Sequence, residues 1–331
     1  MSDQIPSIGD GAIHERPPRG PLRQRFLFPP FSVLNARDGE WRERKRWWNS
    51  LGIESECGRD VEVYEQSQFD ALNIRTGRQP SRHGGRTKTN AGTSVFDPVL
   101  AEVCYRWWCP AGGIVLDPFA GGSVRGIVAS ILGRNYWGCE LRPEQVEANK
   151  HQLTEDTCGR FKPRWVCGDS ADEVSNAPAA DFVLSCPPYG NLEKYSDDPR
   201  DISTMKYDEF LVRYRSIVAS TCERLREDRF TVFVVANFRD KSTGVLCDLV
   251  GDTVNAFEDA GTKFYNDIVL VTAIGSAAMR TNTNFARGAR KVVKTHQNVL
   301  VFVKGDPKKA DAWIASTDKI KRERQQTDKL S

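Results

Sequence analysis

From about residue 93 onward, short β-branched and aromatic runs alternate with longer segments whose apolar positions recur every three or four residues. The pattern predicts helices over 98–108, 124–132, 143–153, 207–226 and 246–260. It predicts strands over 113–118, 136–141, 164–168, 181–185, 230–236, 265–272 and 298–303. Short strands separated by helices imply a doubly wound, mostly parallel α/β sheet covered on both faces. The last two strands have no helix between them, so they should pair antiparallel.

The first 92 residues break this regularity and read as an irregular N-terminal extension. The Pro/Arg-rich stretch ERPPRGPLRQRFLFPPF should stay extended, because proline disfavours the helix. A short helix follows at 40–48, with Trp41, Arg44 and Trp48 on one face. That stripe either stacks bases or packs the helix onto the main domain, and packing is the favoured reading. Residues 75–90 hold Arg75, Arg78, Arg82, Arg86 and Lys88 with three glycines and no acid, which reads as a flexible basic linker. The main domain runs over 93–306, and a charged tail occupies 307–331.

Composition narrows the class without naming it. A chain of 331 residues, 39% hydrophobic and 27% charged, can bury a sizeable core. No apolar run approaches the roughly 18–20 residues that a membrane span needs. The N-terminus carries no secretory pattern, so a cytoplasmic protein is expected. Nine cysteines without a C-x-x-C read as reduced, mostly core thiols, and four scattered histidines give no zinc spacing, so no metal is expected. A net charge of +3 says less than its distribution.

The chemistry concentrates at predicted strand ends. GIVLDPFAGGS puts Asp117, Phe119, Gly121 and Gly122 where the first strand turns into a helix. In a doubly wound sheet, backbone amides at that turn can approach a ligand closely. The turn is neither a Walker loop nor G-x-G-x-x-G. Glu140 closes the second strand and Asp169 the third, within reach of a ribose and an adenine edge. The fourth strand ends in Ser185-Cys186-Pro187-Pro188-Tyr189, where two prolines stop the ladder and present a rigid carbonyl beside an aromatic ring.

With DPFAGGS, GCEL, CGDS and SCPPY in this order, the region 96–304 resembles the amino-methylating DNA methyltransferases. The resemblance implies a Rossmann-like class I methyltransferase fold, here with seven strands and an antiparallel last strand, and S-adenosylmethionine as cofactor. It implies that Asp117, Phe119, Gly121 and Gly122 hold the methionine part, with Phe96 from the segment FDPVLAEVCYRWW completing that pocket. Glu140 is then the ribose ligand and Asp169 the adenine ligand. It also implies methyl transfer to adenine N6 or cytosine N4 of a base extruded from DNA and stacked on Tyr189, with the Pro187 carbonyl accepting an amino proton. Pro188 completes the rigid tip, and the arrangement fits a solitary modification enzyme of bacterial or phage origin.

Two positions depart from that family pattern. Cys186 stands where Asp, Asn or Ser is usual, and its sulfur is a weak acceptor. Strand alternation should aim the preceding Ser185 to the other face. Ser123 replaces the usual third small residue of the glycine turn. The serine-like SCPPY form leans to cytosine. Alternatives are a non-catalytic nucleic-acid-binding protein, an RNA or small-molecule methyltransferase, or a carbon-5 methyltransferase using Cys186. Between the last two strands, residues 276–296 form an acid-free basic loop whose Arg280, Arg287, Arg290, Lys291 and Lys294 are candidate DNA contacts. Asp197, Asp198 and Asp201 should cap the next helix or shape a base pocket.

Overall fold

Ten strands organise the described residues: β1 (Val33–Asn35), β2 (Ile114–Asp117), β3 (Asn135–Glu140), β4 (Arg164–Cys167), β5 (Ala180–Ser185), β6 (Leu225–Val235), β7 (Phe238–Arg239), β8 (Leu246–Cys247), β9 (Lys263–Val271) and β10 (His296–Lys304). They come from a computed structural model that describes residues 21–53, 95–192, 195–272, 277–287 and 289–327. Eight of them form one sheet in the order β1-β9-β10-β6-β5-β2-β3-β4, while β7 and β8 pair as a separate hairpin. Within this sheet only β10 runs against its neighbours β6 and β9, the expected orientation, although the connection before it does contain a helix.

Side-chain alternation divides the core between the two faces. One face packs Val115, Phe182, Leu184, Val232 and Val301 against the helix Pro98–Trp108 and its neighbours. The other packs Leu116, Val183, Phe233, Leu300 and Phe302 against the helices Tyr207–Arg224 and Leu249–Asp259. Phe257 joins helix to sheet there, stacked on Phe302 at 4.2 Å and edge-on to Phe233 at 4.7 Å.

The expected seven strands are present, and β1 adds an eighth. Val33, Leu34 and Asn35 pair in parallel with Val269, Leu270 and Val271, so part of the N-terminal segment belongs to the sheet. The helix Gly39–Ser50 follows and packs on Pro98–Trp108, with Trp41 and Trp48 buried. Its Arg44 forms a two-bond pair with Glu102 at 2.8 Å each, and the Trp48 indole donates to the same carboxylate at 2.7 Å. Burial raises the Glu102 carboxyl, but Arg44, Arg106 and Trp48 outweigh it and hold its pKa below the ordinary carboxylate range. The packing reading of the tryptophan stripe is therefore the observed one.

Two further expectations differ from the structure. The Pro/Arg-rich stretch contains the short helix Pro21–Phe26, with proline at the first helical position, where its missing N–H costs nothing. The basic connection before β10 contains a helix, Ala277–Ala286, instead of a continuous loop. The basic linker at 75–90 lies outside the described residues. Among the described residues no helix is long and apolar enough to cross a membrane, and no cluster of His, Cys, Asp and Glu is placed to hold a metal.

Candidate active site

β2 lies between β3 and β5, so the turn after Asp117 and the tip after Ser185 emerge side by side at one sheet edge. Asp117 is fully buried beneath both. Its Oδ1 accepts from Ser185 Oγ at 2.6 Å and from the Phe119 amide at 3.2 Å. Its Oδ2 accepts from Arg125 Nε at 2.6 Å and from the Tyr136 hydroxyl at 2.7 Å. Four donors saturate the carboxylate, and Asp117 does not line the cleft above it. The expected ligand contact is thus corrected: Asp117 organises the residues around the cleft.

Arg125 extends that organisation. From the first turn of the helix Val124–Ile131 its Nη2 donates to the Phe119 carbonyl at 2.5 Å and the Ala120 carbonyl at 3.0 Å. Its guanidinium lies 4.6 Å from the centre of the Phe96 ring, a cation–π contact. One buried cation therefore fixes the acid, two carbonyls of the turn and the aromatic wall.

Gly121 adopts φ +52°, a left-handed conformation that favours glycine, and no heavy atom lies within 4 Å of where its Cβ would sit. Its amide donates to Glu140 Oε2 at 2.9 Å, and its carbonyl accepts from Asn149 Nδ2 at 2.8 Å. Asn149 is held by Gln145 at 3.0 Å and Gln145 by Arg142 at 2.9 Å, while Arg142 returns to Glu140 at 3.2 Å. This closed polar ring braces the turn from below. Burial raises the Glu140 pKa, against the opposing pull of Arg142. At the end of β4, Asp169 accepts from the Ala171 amide at 2.9 Å and pairs with Arg213.

The tip is equally fixed. Tyr189 Oη lies 3.6 Å from Cys186 Sγ and receives a 3.0 Å bond from Gln297 Nε2. Burial, then the neighbouring Cys186, pushes its pKa well up, so the phenol stays protonated. Gly190 turns at φ +53° against Phe238, where a Cβ would meet the ring at 2.3 Å.

A cleft of 940 Å³ joins the two halves. Phe96, Phe119, Gly121, Gly122, Glu140 and Asp169 line it, as do Cys186, Pro187, Pro188 and Tyr189. Of the expected DNA contacts, Lys291 and Lys294 line it as well, whereas Arg287 and Arg290 are exposed and do not. Arg280 lies on the helix Ala277–Ala286, and its side chain is outside the described residues. Asp201 caps a short helix that was not expected, Ile202–Thr204, through the Ser203 amide at 2.9 Å, while the helix Tyr207–Arg224 that the acids were expected to cap starts after Lys206 without a side-chain cap.

Sequence reasoning missed Arg125, Tyr136, Gln297 and Lys45, the last lining the cleft while paired to Asp97 at 3.1 Å. A charged residue three positions past a glycine turn, in the first turn of an apolar helix, is the signal that could have flagged Arg125.

The family model described as DNA methylase, of the N6/N4 type, matches residues 38–151. Over 106 residues the chain is 28% identical to the type II methyltransferase M.SmaI of Serratia marcescens, a stretch covering 32% of each protein. Both similarities point towards the amino-methylating DNA methyltransferases, each over about a third of the chain. The family match takes in the Trp41 helix, the glycine turn and Glu140 and ends before the double-proline tip. The matched stretch spans about a third of the length of M.SmaI. Among solved structures, TrmN of Thermus thermophilus is similar with TM-score 0.42 and 15% identity, covering 63% of this chain and 49% of that one. Magnesium protoporphyrin IX methyltransferase of Synechocystis PCC 6803, solved with bound SAM, is similar with TM-score 0.42 and 12% identity, covering 79% and 95%.

Proposed function

We propose that this protein is an amino-methylating DNA methyltransferase, which transfers a methyl group from S-adenosylmethionine to an exocyclic amino group of a DNA base, cytosine N4 or adenine N6. The observation that carries the reading is the facing of the glycine turn and the double-proline tip across one cleft, joined underneath by the Asp117–Ser185 hydrogen bond. The residues present fit the cofactor. Gly121 leaves open space where a side chain would intrude, and the Glu140 and Asp169 carboxylates border the same space. Phe96, Phe119, Gly121 and Gly122 would hold its methionine part, Glu140 its ribose and Asp169 its adenine.

S-adenosylmethionine supplies an electrophilic methyl on a positively charged sulfur. The chain's task is to make a poor nucleophile attack it. The lone pair of an exocyclic amine is conjugated with its ring, and hydrogen bonds from its two protons to fixed acceptors draw that pair out of conjugation. The Pro187 carbonyl, rigid between two prolines, is one such acceptor. Tyr189, pinned at its hydroxyl, offers a ring on which an extruded base stacks. With S-adenosylmethionine bound, the amine so held would be placed to form the new C–N bond, the C–S bond would break with its electron pair left on sulfur, and the nitrogen would release a proton to water. Orientation supplies the acceleration, with no covalent enzyme intermediate. Lys291 and Lys294 at the cleft complement a phosphate backbone.

The test is incubation of the purified chain with labelled S-adenosylmethionine and unmodified DNA, followed by mass spectrometry of the nucleosides. N4-methylcytidine or N6-methyladenosine in deoxy form supports the reading and names the base. Cofactor binding without any labelled nucleoside would favour a non-catalytic DNA-binding role.

A further inference from the structure

The tip lacks a strong side-chain acceptor, because Cys186 occupies the place next to the first proline and sulfur accepts hydrogen bonds weakly. The structure brings another polar group to the same spot. Gln297 sits on the antiparallel strand β10, one residue before the Asn298–Val235 pair, and lines the cleft. Its Nε2 donates to Tyr189 Oη at 3.0 Å, and that hydroxyl in turn meets Cys186 Sγ at 3.6 Å. A carboxamide carries an acceptor as well as a donor. With Nε2 committed to the phenol, Oε1 of Gln297 has no hydrogen bond among the described residues. Asn237, which also lines the cleft, has both ends engaged: Nδ2 with Asp248 at 2.8 Å and Oδ1 with the Val250 amide at 2.8 Å.

We infer that Gln297 is a catalytic residue whose side-chain oxygen accepts a hydrogen bond from one amino N–H of the target base, the role that Cys186 is too weak to fill, while the Pro187 carbonyl accepts one from the other N–H. The inference rests on the transfer reading above. Gln297 remains neutral throughout and takes up no proton. It holds the amine in the geometry from which its lone pair forms the C–N bond, and the released proton goes to water.

Transfer of tritiated methyl to DNA by the full chain tests this, alongside calorimetric titration with S-adenosylmethionine. Gln297→Ala should lower kcat on the order of 100-fold, the scale set by removing one preorganised hydrogen-bonding group, with cofactor affinity unchanged. Adding Cys186→Asn to Gln297→Ala should restore at least about tenfold of that loss, because an amide oxygen again stands beside the proline. If Gln297→Ala alters folding, Gln297→Met keeps the volume and gives the same comparison. Wild-type kcat in these variants, or a loss that Cys186→Asn does not recover, overturns the inference. Absence of transfer by the wild-type chain, with cofactor bound, instead overturns the transfer reading on which it rests.

Discussion

Ser185 Oγ donates a 2.6 Å hydrogen bond to Asp117 Oδ1, across 68 positions of sequence, and so locks the end of β5 to the end of β2. The same carboxylate holds Arg125 and Tyr136, so a single buried group sets the relative position of the two halves of the cleft.

Breaking that group should cost stability first and binding second. Asp117→Ala leaves the Arg125 guanidinium buried without its counter-charge, a change worth about 3–5 kcal/mol. Chemical denaturation should register the loss. Cofactor affinity should collapse as well, although Asp117 does not line the cleft.

Gly121→Ala separates binding from folding in the opposite way. The new methyl meets no protein atom within 4 Å, so the fold bears only the left-handed backbone strain, about 1–2 kcal/mol. The methyl would occupy cofactor space. Calorimetry should show affinity reduced by far more than the stability change, and equal losses would remove Gly121 from the cofactor wall.

Tyr189→Ala should abolish transfer while leaving cofactor binding intact, read by methyl incorporation and calorimetry on the same sample. Loss of both would make the ring a structural element of the cleft.

The buried Glu140 predicts two opposing pH trends. Its pKa is raised above the ordinary 4.5, so its contribution to stability is full below that value and is lost as pH rises through the raised pKa. Ribose hydroxyls donate to the ionised form, so cofactor affinity should instead fall as pH drops through the same window, above 4.5. Glu140→Gln should flatten both curves there, measured by calorimetry and thermal unfolding across pH.

At the DNA side, Lys291→Ala and Lys294→Ala should each reduce the slope of log affinity against log salt by about 1 if the lysine neutralises one phosphate. Arg290→Ala, outside the cleft lining, should change the slope less. Fluorescence anisotropy with a duplex over a salt series gives the slopes.

Strands β2–β6, β9 and β10 were legible because most are short apolar runs closed by glycine, proline or an acid, a pattern set by local chemistry, whereas the two-residue strands β7 and β8 were not, and the pattern instead predicts that Leu246–Cys247 begins a helix. The eighth strand of the sheet was not legible either. Three residues, Val33–Asn35, carry too little periodicity to declare a strand, and their partner Val269–Val271 lies on the far side of the domain in sequence. The helix Ala277–Ala286 was hidden by its Thr- and Asn-rich composition, which favours turns locally and yields to tertiary context. At the site, the residue types at strand ends were readable, but which of them face the cleft was not. Asp117 looks identical in sequence whether it meets a ligand or, as here, four internal donors.

The short strand β1 also bears on how the chain can be shortened. A protein begun at residue 93 would keep every motif of the cleft yet strip the cover from the outer side of β9. The unpaired amides and carbonyls at Val269–Val271 would then stand as a template for another molecule's backbone, so such a fragment should self-associate and precipitate where the longer chain remains dispersed.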